Sequence, residues 1–310
     1  MSFSPLKSQE HFFDPASHSG FLEMRLRNIR RKLEEGQRRY SRHKRCRDVE
    51  EMSSSVQDEG DGSEIREFIN LMKRLRPSAE NMSSIKSAMQ KTFTWRRSWI
   101  SKHSPTMEEI LQEYPRFLDI PTLLDTEFGK MHQGKGDLFL RRWEASIMPK
   151  LKAVAAREKG DVASLVEGME DQTDDEKCYI YLQQAAVASS LAITQLIDFV
   201  PAGSTIASLY NASQDPAQST QPQLVCIGHL RGGSQQYVIV GKSDKIAIPL
   251  DEGLACAVDK LFKLYWVCNL AYPAPLSSVF SFVEYIYNLP MSTNRRAKVL
   301  ELISKVKSIN

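Results

Sequence analysis

The chain has no long uninterrupted apolar run. No stretch approaches the roughly 18 uncharged apolar residues that a membrane-spanning helix requires. The nearest candidate, from Ala185 to Val200, is interrupted by Thr194 and Gln195 and contains Asp198 near its end, so we interpret it as a buried helix. The first 19 residues lack the apolar segment of a secretory signal. These absences predict a protein that neither spans a membrane nor is secreted.

Cysteine and histidine are few and scattered. The five cysteines and six histidines stand singly, with no C-x-x-C pair, and no cysteine is nearer to a histidine than the three positions between Cys226 and His229. A metal site needs three or four converging ligands, so we expect no metal site. Free thiols in a reducing compartment explain the cysteines, and Cys256 and Cys268 are predicted to be small buried side chains.

Sequence motifs of catalysis are also missing. There is no G-x-S-x-G nucleophile elbow. The glycine-rich segment 228–233 lacks the Gly-Lys-Ser or Gly-Lys-Thr of a phosphate-binding loop and is followed by a strand, which predicts a hairpin turn. Gly134-Lys135-Gly136 is predicted to be a turn between helices, and paired acids such as Glu108-Glu109 are typical of solvated helix starts. We therefore expect no cofactor and no enzymatic activity; an active site assembled from distant residues is the open alternative.

Positive charge is concentrated in one short segment. Between Glu23 and Arg47 there are eleven Lys or Arg residues against three Glu, although the net charge of the whole chain is only +3. Such a density can neutralise several phosphates, and His43-Lys44-Arg45 resembles a nuclear-import patch. Tyr40 is the only aromatic residue interleaved with the charges, so base stacking has no support. The candidate contacts of this arm with nucleic acid or import factors are Arg30, Arg31, Lys32, Arg38, Arg39, Arg42, Lys44, Arg45 and Arg47.

An acidic segment follows the basic arm directly. Residues 48–64 contain seven acids and no base, with Ser and Gly between them, which is the composition of a solvated linker. The arm can therefore face a partner, or it can act as a solubilising helix face that pairs with the acidic segment of the same chain. The sequence leaves both interpretations open.

Apolar periodicity predicts a mainly helical middle of the chain. The expected helices cover 64–75, 83–101, 107–113, 120–128, 138–156 with a disturbance at Pro149, 162–169, and a stretch from about 177 through Ile197.

A different pattern begins at Gln223. Three apolar runs, 224–227, 237–240 and 245–248, are separated by turn sequences and predict a three-stranded antiparallel meander. Helices from near Asp251 to before Pro273, at 279–287 and at 293–307 would pack on it, because so small a sheet is not stable alone. The predicted fold class is mainly α with a small α+β C-terminal module. The expected divisions are a disordered tail (1–20), a basic helical arm (21–47), an acidic linker (48–63), a helical domain (64–210), a linker (211–222) and the α+β module (223–310).

One cluster of residues resembles a known group. Met89-Gln90-Lys91-Thr92-Phe93, then Arg96-Arg97 and Ile100, then Pro105, and finally Tyr114-Pro115 with Phe117 are similar to a pattern in fish proteins described as sterile alpha motif domain-containing protein 3-like. The resemblance spans roughly Phe21 to Leu289 and implies a helical region followed by a small strand-rich segment. It implies no activity. Nothing resembles the sterile alpha motif itself, so self-association through that module is not carried over.

Within this pattern, Trp95, Arg96, Arg97 and Trp99 form a candidate partner patch. Arginines beside tryptophans can present a cation–π surface to a partner. Alternatively, the aromatic rings pack inward while the arginine stems lie along the protein surface. We expect an intracellular interaction protein, a scaffold or adaptor in nucleus or cytoplasm, with an unknown protein partner. The alternative is a nuclear nucleic-acid-binding regulator acting through residues 25–47.

Overall fold

The computed structural model describes residues 62–157, 171–185, 196–211, 221–231, 235–241, 246–274, 276–290 and 297–309. The described residues all belong to one compact unit. The predicted tail, the basic arm, the acidic linker up to Asp61 and the predicted helix at 162–169 lie outside the described residues.

The described residues are mostly helical. The helices are α1 (Gly62–Arg74), α2 (Met82–Lys91), α3 (Phe93–His103), α4 (Met107–Glu113), α5 (Arg116–Asp119), α6 (Thr122–Met131), α7 (Leu138–Arg142), a π-helical turn (Trp143–Ile147), α8 (Met148–Ala155), α9 (Asp174–Ala185), α10 (Ile206–Asn211), α11 (Leu254–Val267), α12 (Ser277–Ile286) and α13 (Ala297–Ser308). The strands are β1 (Ile197–Val200), β2 (Gln223–Ile227), β3 (Gln236–Gly241) and β4 (Ile246–Leu250). The predicted fold class is confirmed.

The single helix predicted over 83–101 is two helices in the structure, separated by Thr92. The Thr92 hydroxyl donates to the Ala88 carbonyl over 2.8 Å, and its backbone leaves the helical region with ψ near 0°. A threonine hydroxyl competes with the main chain for carbonyl acceptors, and this competition bends or interrupts a helix. The break also places the Thr92 oxygen where Arg96 Nη1 donates to it over 2.9 Å.

The disturbance expected at Pro149 takes the form of a π-helical turn immediately before it. Proline has no N–H and cannot bond to the carbonyl four residues earlier. Residues Trp143–Ile147 adopt the wider π pattern, and a regular helix resumes at Met148. π-turns inside helices are a known way of absorbing such a mismatch.

The sheet has four strands in the order β1-β2-β3-β4. The predicted meander corresponds to β2, β3 and β4, which pair antiparallel. The prediction of helix through Ile197 is wrong, because Ile197–Val200 is strand β1 and pairs parallel with β2. Its four residues, Ile-Asp-Phe-Val, combine β-branched and aromatic side chains, which favour a strand. Pro249 lies in edge strand β4, where the missing N–H is tolerated.

The two faces of the sheet belong to different apolar clusters. Leu224, Cys226, Tyr237, Ile239 and Ile248 share the main core with the helices. The intervening residues pack with Leu209 of α10 in a second cluster: Val225, Ile227, Val238 and Val240.

The main core runs continuously from α1 to α13, and includes Ile69 and Val306. Packing therefore crosses the boundary that the sequence predicts at 211–222. The division into a helical domain and an α+β module stays a prediction.

Candidate functional site

Arg96 of α3 is fully buried, at 0% exposure. Its Nε donates to Glu127 Oε1 over 3.0 Å and its Nη2 donates to Glu127 Oε2, so the pair is bidentate. Nη2 also donates to the Met89 carbonyl over 3.0 Å, and the guanidinium lies 4.7 Å from the centre of the Tyr114 ring. A buried arginine is tolerated only when its donors find acceptors, and here most of them do.

Arg97 contacts the same carboxylate, at the oxygen that also accepts from Arg96 Nε. Its Nε lies 3.1 Å from Glu127 Oε1, and the side chain is 11% exposed. Nη2 donates to the Val267 carbonyl at the end of α11, and Nη1 contacts Met131 Sδ at 3.2 Å. Burial lowers the pKa of Arg97, Glu127 opposes that shift and Arg96 adds to it. One carboxylate therefore holds two guanidinium groups, and we call Arg96, Arg97 and Glu127 the arginine network.

A second charged cluster joins α6 to α11. Asp125 pairs with Lys260 and, over 2.6 Å, with Lys263. Lys263 also pairs with Asp259 over 2.5 Å, and the Tyr287 hydroxyl donates to the other oxygen of Asp259. Two cations balance two anions, so this lysine network is electrically neutral.

The electrostatics of the lysine network reflect its burial. Burial raises the pKa of the Asp259 carboxyl, and Lys263 opposes the rise. Burial alone would lower the pKa of Lys263, but Asp259 and Asp125 outweigh it and raise the pKa. Burial, then Asp259, raises the pKa of Tyr287. The lysine is therefore charged and the phenol is neutral at physiological pH, as a structural cluster requires.

Asp175 connects helix α9 to strand β3 and to the start of helix α11. Its carboxylate accepts from Tyr237 Oη over 2.7 Å, from Gln235 Nε2 over 2.8 Å and from the Leu254 N–H over 2.8 Å. The last bond satisfies a free N–H at the start of α11, where a carboxylate is also favoured by the helix dipole. A Cβ on Gly253 would lie 2.9 Å from Asp175 Oδ1, so only glycine fits there without a shift.

The described cysteines have the properties of packed thiols rather than nucleophiles. Cys178, Cys226 and Cys268 are buried and Cys256 is half-buried. Burial raises the pKa of Cys226 to about 11 and of Cys268 to about 12, so both are thiols at neutral pH. In the ranges that the structure describes, no group of three His, Cys, Asp or Glu side chains is placed to hold a metal ion.

The outer side of α3 carries aromatic side chains, whereas Arg96 of the same helix is buried. Trp95 is 48% exposed, the most exposed of the large apolar side chains that the structure describes. Trp99 is half-buried, with its ring centre 6.2 Å from that of Tyr114. Residues four apart are neighbours on a helix surface, so Trp95, Trp99 and His103 form one stripe along α3.

This stripe leads into a cleft between α1, α3 and α4. Its volume is about 400 Å³, and we call it the Trp99 cleft; Lys73, Trp99, His103, Pro105, Glu109, Gln112 and Glu113 line it. Lys73 Nζ donates to Glu113 Oε2 over 2.6 Å across it. Glu109 Oε2 accepts from the Thr106 N–H and hydroxyl, completing a capping box at the start of α4.

The structure thus separates the four residues of the predicted partner patch. Trp95 is exposed, Trp99 borders the cleft, Arg97 is largely covered and Arg96 is inside the core. Arg96 is therefore out of reach of a partner. The residues of the basic arm, Arg30 to Arg47, lie outside the described part of the chain.

Sequence reasoning missed both charged networks. Arg96 and Glu127 are 31 positions apart, and no local pattern links them. The lysine network did leave a signal, because Asp259, Lys260 and Lys263 interrupt the otherwise apolar α11. An acid four residues before a lysine on such a helix favours a pair, and its apolar flanks indicate burial.

Comparison with known proteins gives a match to a protein family. Residues 58–120 match the family model described as sterile alpha motif domain-containing protein 3, helical domain. The resemblance carried by Met89 to Phe117 is thereby confirmed for this segment, and a protein-interaction role is consistent with it. No curated protein and no solved structure matches the chain. None of the described helices is both long and apolar enough to cross a membrane.

Proposed function

We propose that the protein is a non-enzymatic scaffold or adaptor that binds a protein partner through the outer face of α3, inside the matched helical segment. The observation that carries the proposal is the exposure of Trp95 on a helix whose other face is fixed by the arginine network. Tryptophan is enriched among the residues that dominate binding energy at protein interfaces. A rigid helix presents such a side chain at a low entropic cost.

The partner-capture experiment compares two deletions of similar exposed apolar surface. Trp95→Ala removes a side chain that is 48% exposed on α3, and Leu300→Ala removes one that is 44% exposed on α13. We expect Trp95→Ala to weaken capture of the partner by about ten-fold or more, the effect of a central interface residue. Leu300→Ala should leave capture unchanged. Equal capture by both variants and the unsubstituted protein would refute the role of α3.

The basic arm is proposed as an accessory contact. Its charge density favours nucleic acid or an import factor, and the proposed location is accordingly nucleus or cytoplasm. The alternative function, a nucleic-acid-binding regulator, makes the arm the principal site.

Neutralising Arg38, Arg39, Arg42, Lys44 and Arg45 distinguishes the two functions. If the arm is accessory, capture of the protein partner survives the change and any binding to mixed-sequence nucleic acid is lost. If the arm is principal, its neutralisation removes the main binding activity of the protein. Binding of nucleic acid by the unsubstituted protein should then fall steeply with salt.

A further inference from the structure

We propose that the Trp99 cleft receives an arginine side chain of a partner peptide, which displaces Lys73 from Glu113. This inference rests on the proposed function and names the chemistry of one contact within it. All seven lining residues fall within the matched segment 58–120. The cleft thus lies inside the segment that matches the family model.

The lining of the cleft fits a cation. Trp99 provides an aromatic wall, and the indole ring is the strongest cation–π acceptor among side chains. Glu109, whose carboxylate also closes the capping box, and Glu113 supply two carboxylates against one lysine, Lys73, and His103 lies beside them in the lining. A planar guanidinium can stack on the indole and bond to a carboxylate at the same time, whereas an ammonium group cannot do both as well.

Lys73 shows where the incoming cation would bind. It belongs to α1, and its ammonium group crosses the cleft to Glu113 of α4. Both side chains are well exposed, at 37% and 39%. An exposed ion pair of this kind contributes little to stability, so a better cation can replace it. The Lys73–Glu113 pair is therefore a weak internal competitor for the site.

Competition gives the two partners of this pair opposite effects on binding. Glu113→Gln removes the acceptor and should weaken binding of an arginine peptide by about two- to five-fold. Lys73→Met removes the competitor and should strengthen binding by a similar factor of about two to five. A pair with a purely structural role would change binding in the same direction in both variants.

The probe is a fluorescently labelled peptide of alternating Arg and Gly, titrated into the full chain and followed by polarisation. Glu80→Gln and Lys86→Met are the matched controls, because each makes the same charge change at an exposed position outside the cleft. The indole N–H signal of Trp99 in an NMR spectrum should shift during the titration. A peptide of alternating Glu and Gly should not bind.

Three results would overturn the proposal. These are equal affinities for Glu113→Gln and Glu80→Gln, weaker binding to Lys73→Met than to Lys86→Met, and saturation without a shift of the Trp99 signal. Failure of this proposal is distinguishable from failure of the proposed function. If only the cleft proposal fails, capture of the partner still depends on Trp95, but the cleft variants do not change peptide binding.

Discussion

Two acids of helix α6, Asp125 and Glu127, organise the two charged networks. They differ in their exposure and in the cations that they bind. Glu127 is 3% exposed and holds two arginines of α3, whereas Asp125 is 30% exposed and holds two lysines of α11. Positions two apart point to different sides of a helix. Helix α6 therefore binds the matched segment with one side and α11 with the other.

The difference lies in what happens when one partner is lost. The arginine network has a single carboxylate for two cations, so removing Glu127 leaves both arginines without a counter-ion. The lysine network has a second acid, Asp259, which stays paired with Lys263 if Asp125 is lost. A buried charge without a counter-ion is expensive, so the two acids should have unequal effects on stability.

The largest expected effect belongs to Glu127→Gln. It should lower the free energy of unfolding by about 3 to 5 kcal/mol, because it leaves buried cations uncompensated. Urea unfolding followed by circular dichroism measures this. The control is Glu108→Gln, an exposed position on α4 whose side chain accepts from Gln112. A loss no greater than that of the control would show that the network does not anchor α3.

Asp125→Asn should have a smaller effect, about 1 to 2 kcal/mol in the same assay. The carboxylate is partly exposed, and of the two lysines only Lys260 loses its counter-ion, because Lys263 retains Asp259. Asn keeps the size of the side chain, so packing is unchanged. A loss equal to that of Glu127→Gln would mean that the second acid does not protect the lysine network.

Alkaline pH tests the tyrosine beside the arginine network, Tyr114. Burial raises the pKa of Tyr114 to about 12, although Arg96 lowers it. The unfolded chain ionises this phenol near its ordinary pKa of about 10, so the stability it contributes is present below pH 10 and is lost as pH rises toward 12.

Tyr114→Phe should therefore remove about 1 kcal/mol of the stability loss between pH 9.5 and 11, with little change at pH 7. Unfolding curves collected at these pH values test this. Tyr285→Phe, a half-buried tyrosine on α12, is the comparison variant. An identical alkaline loss in the unsubstituted protein and Tyr114→Phe would contradict the assignment.

The smallest effect concerns the Lys73–Glu113 pair. Breaking it with Lys73→Met should change the free energy of unfolding by less than about 1 kcal/mol, because both side chains are exposed. Thermal unfolding checks this, and the result matters because the peptide-binding test assumes a folded variant. A large loss would place the pair with the buried networks.

Local signals in the sequence predicted much of the fold. Thr106 and Glu109 mark the start of α4, and their capping box lies where the sequence places a helix start. Alternating apolar runs and turn residues located β2 to β4. Two predictions failed. The apolar periodicity predicts one helix over 83–101, but the Thr92 hydroxyl interrupts it. Strand β1 has only four residues and depends on pairing with β2, which comes from far along the chain.

Less of the candidate site could be predicted. The sequence indicates Trp95 and Trp99 as partner candidates because they flank two arginines. Their exposure, however, depends on tertiary packing. The neighbouring Arg96 gives the same signal in sequence and is buried, because its counter-ion Glu127 comes from a distant helix. The Trp99 cleft is likewise assembled from three helices, and no spacing rule brings Lys73 to Glu113.

Site-specific photo-crosslinking tests the central claim most directly. A benzophenone amino acid is placed at position 102, two turns after Trp95 on the same side of α3, so that Trp95 itself is kept; a second sample carries it at position 300, which is also exposed. The account predicts that a protein partner is crosslinked from position 102, is absent from the sample with position 300, and is competed away by unlabelled protein. Equal crosslinking from both positions, or none from position 102, would contradict it.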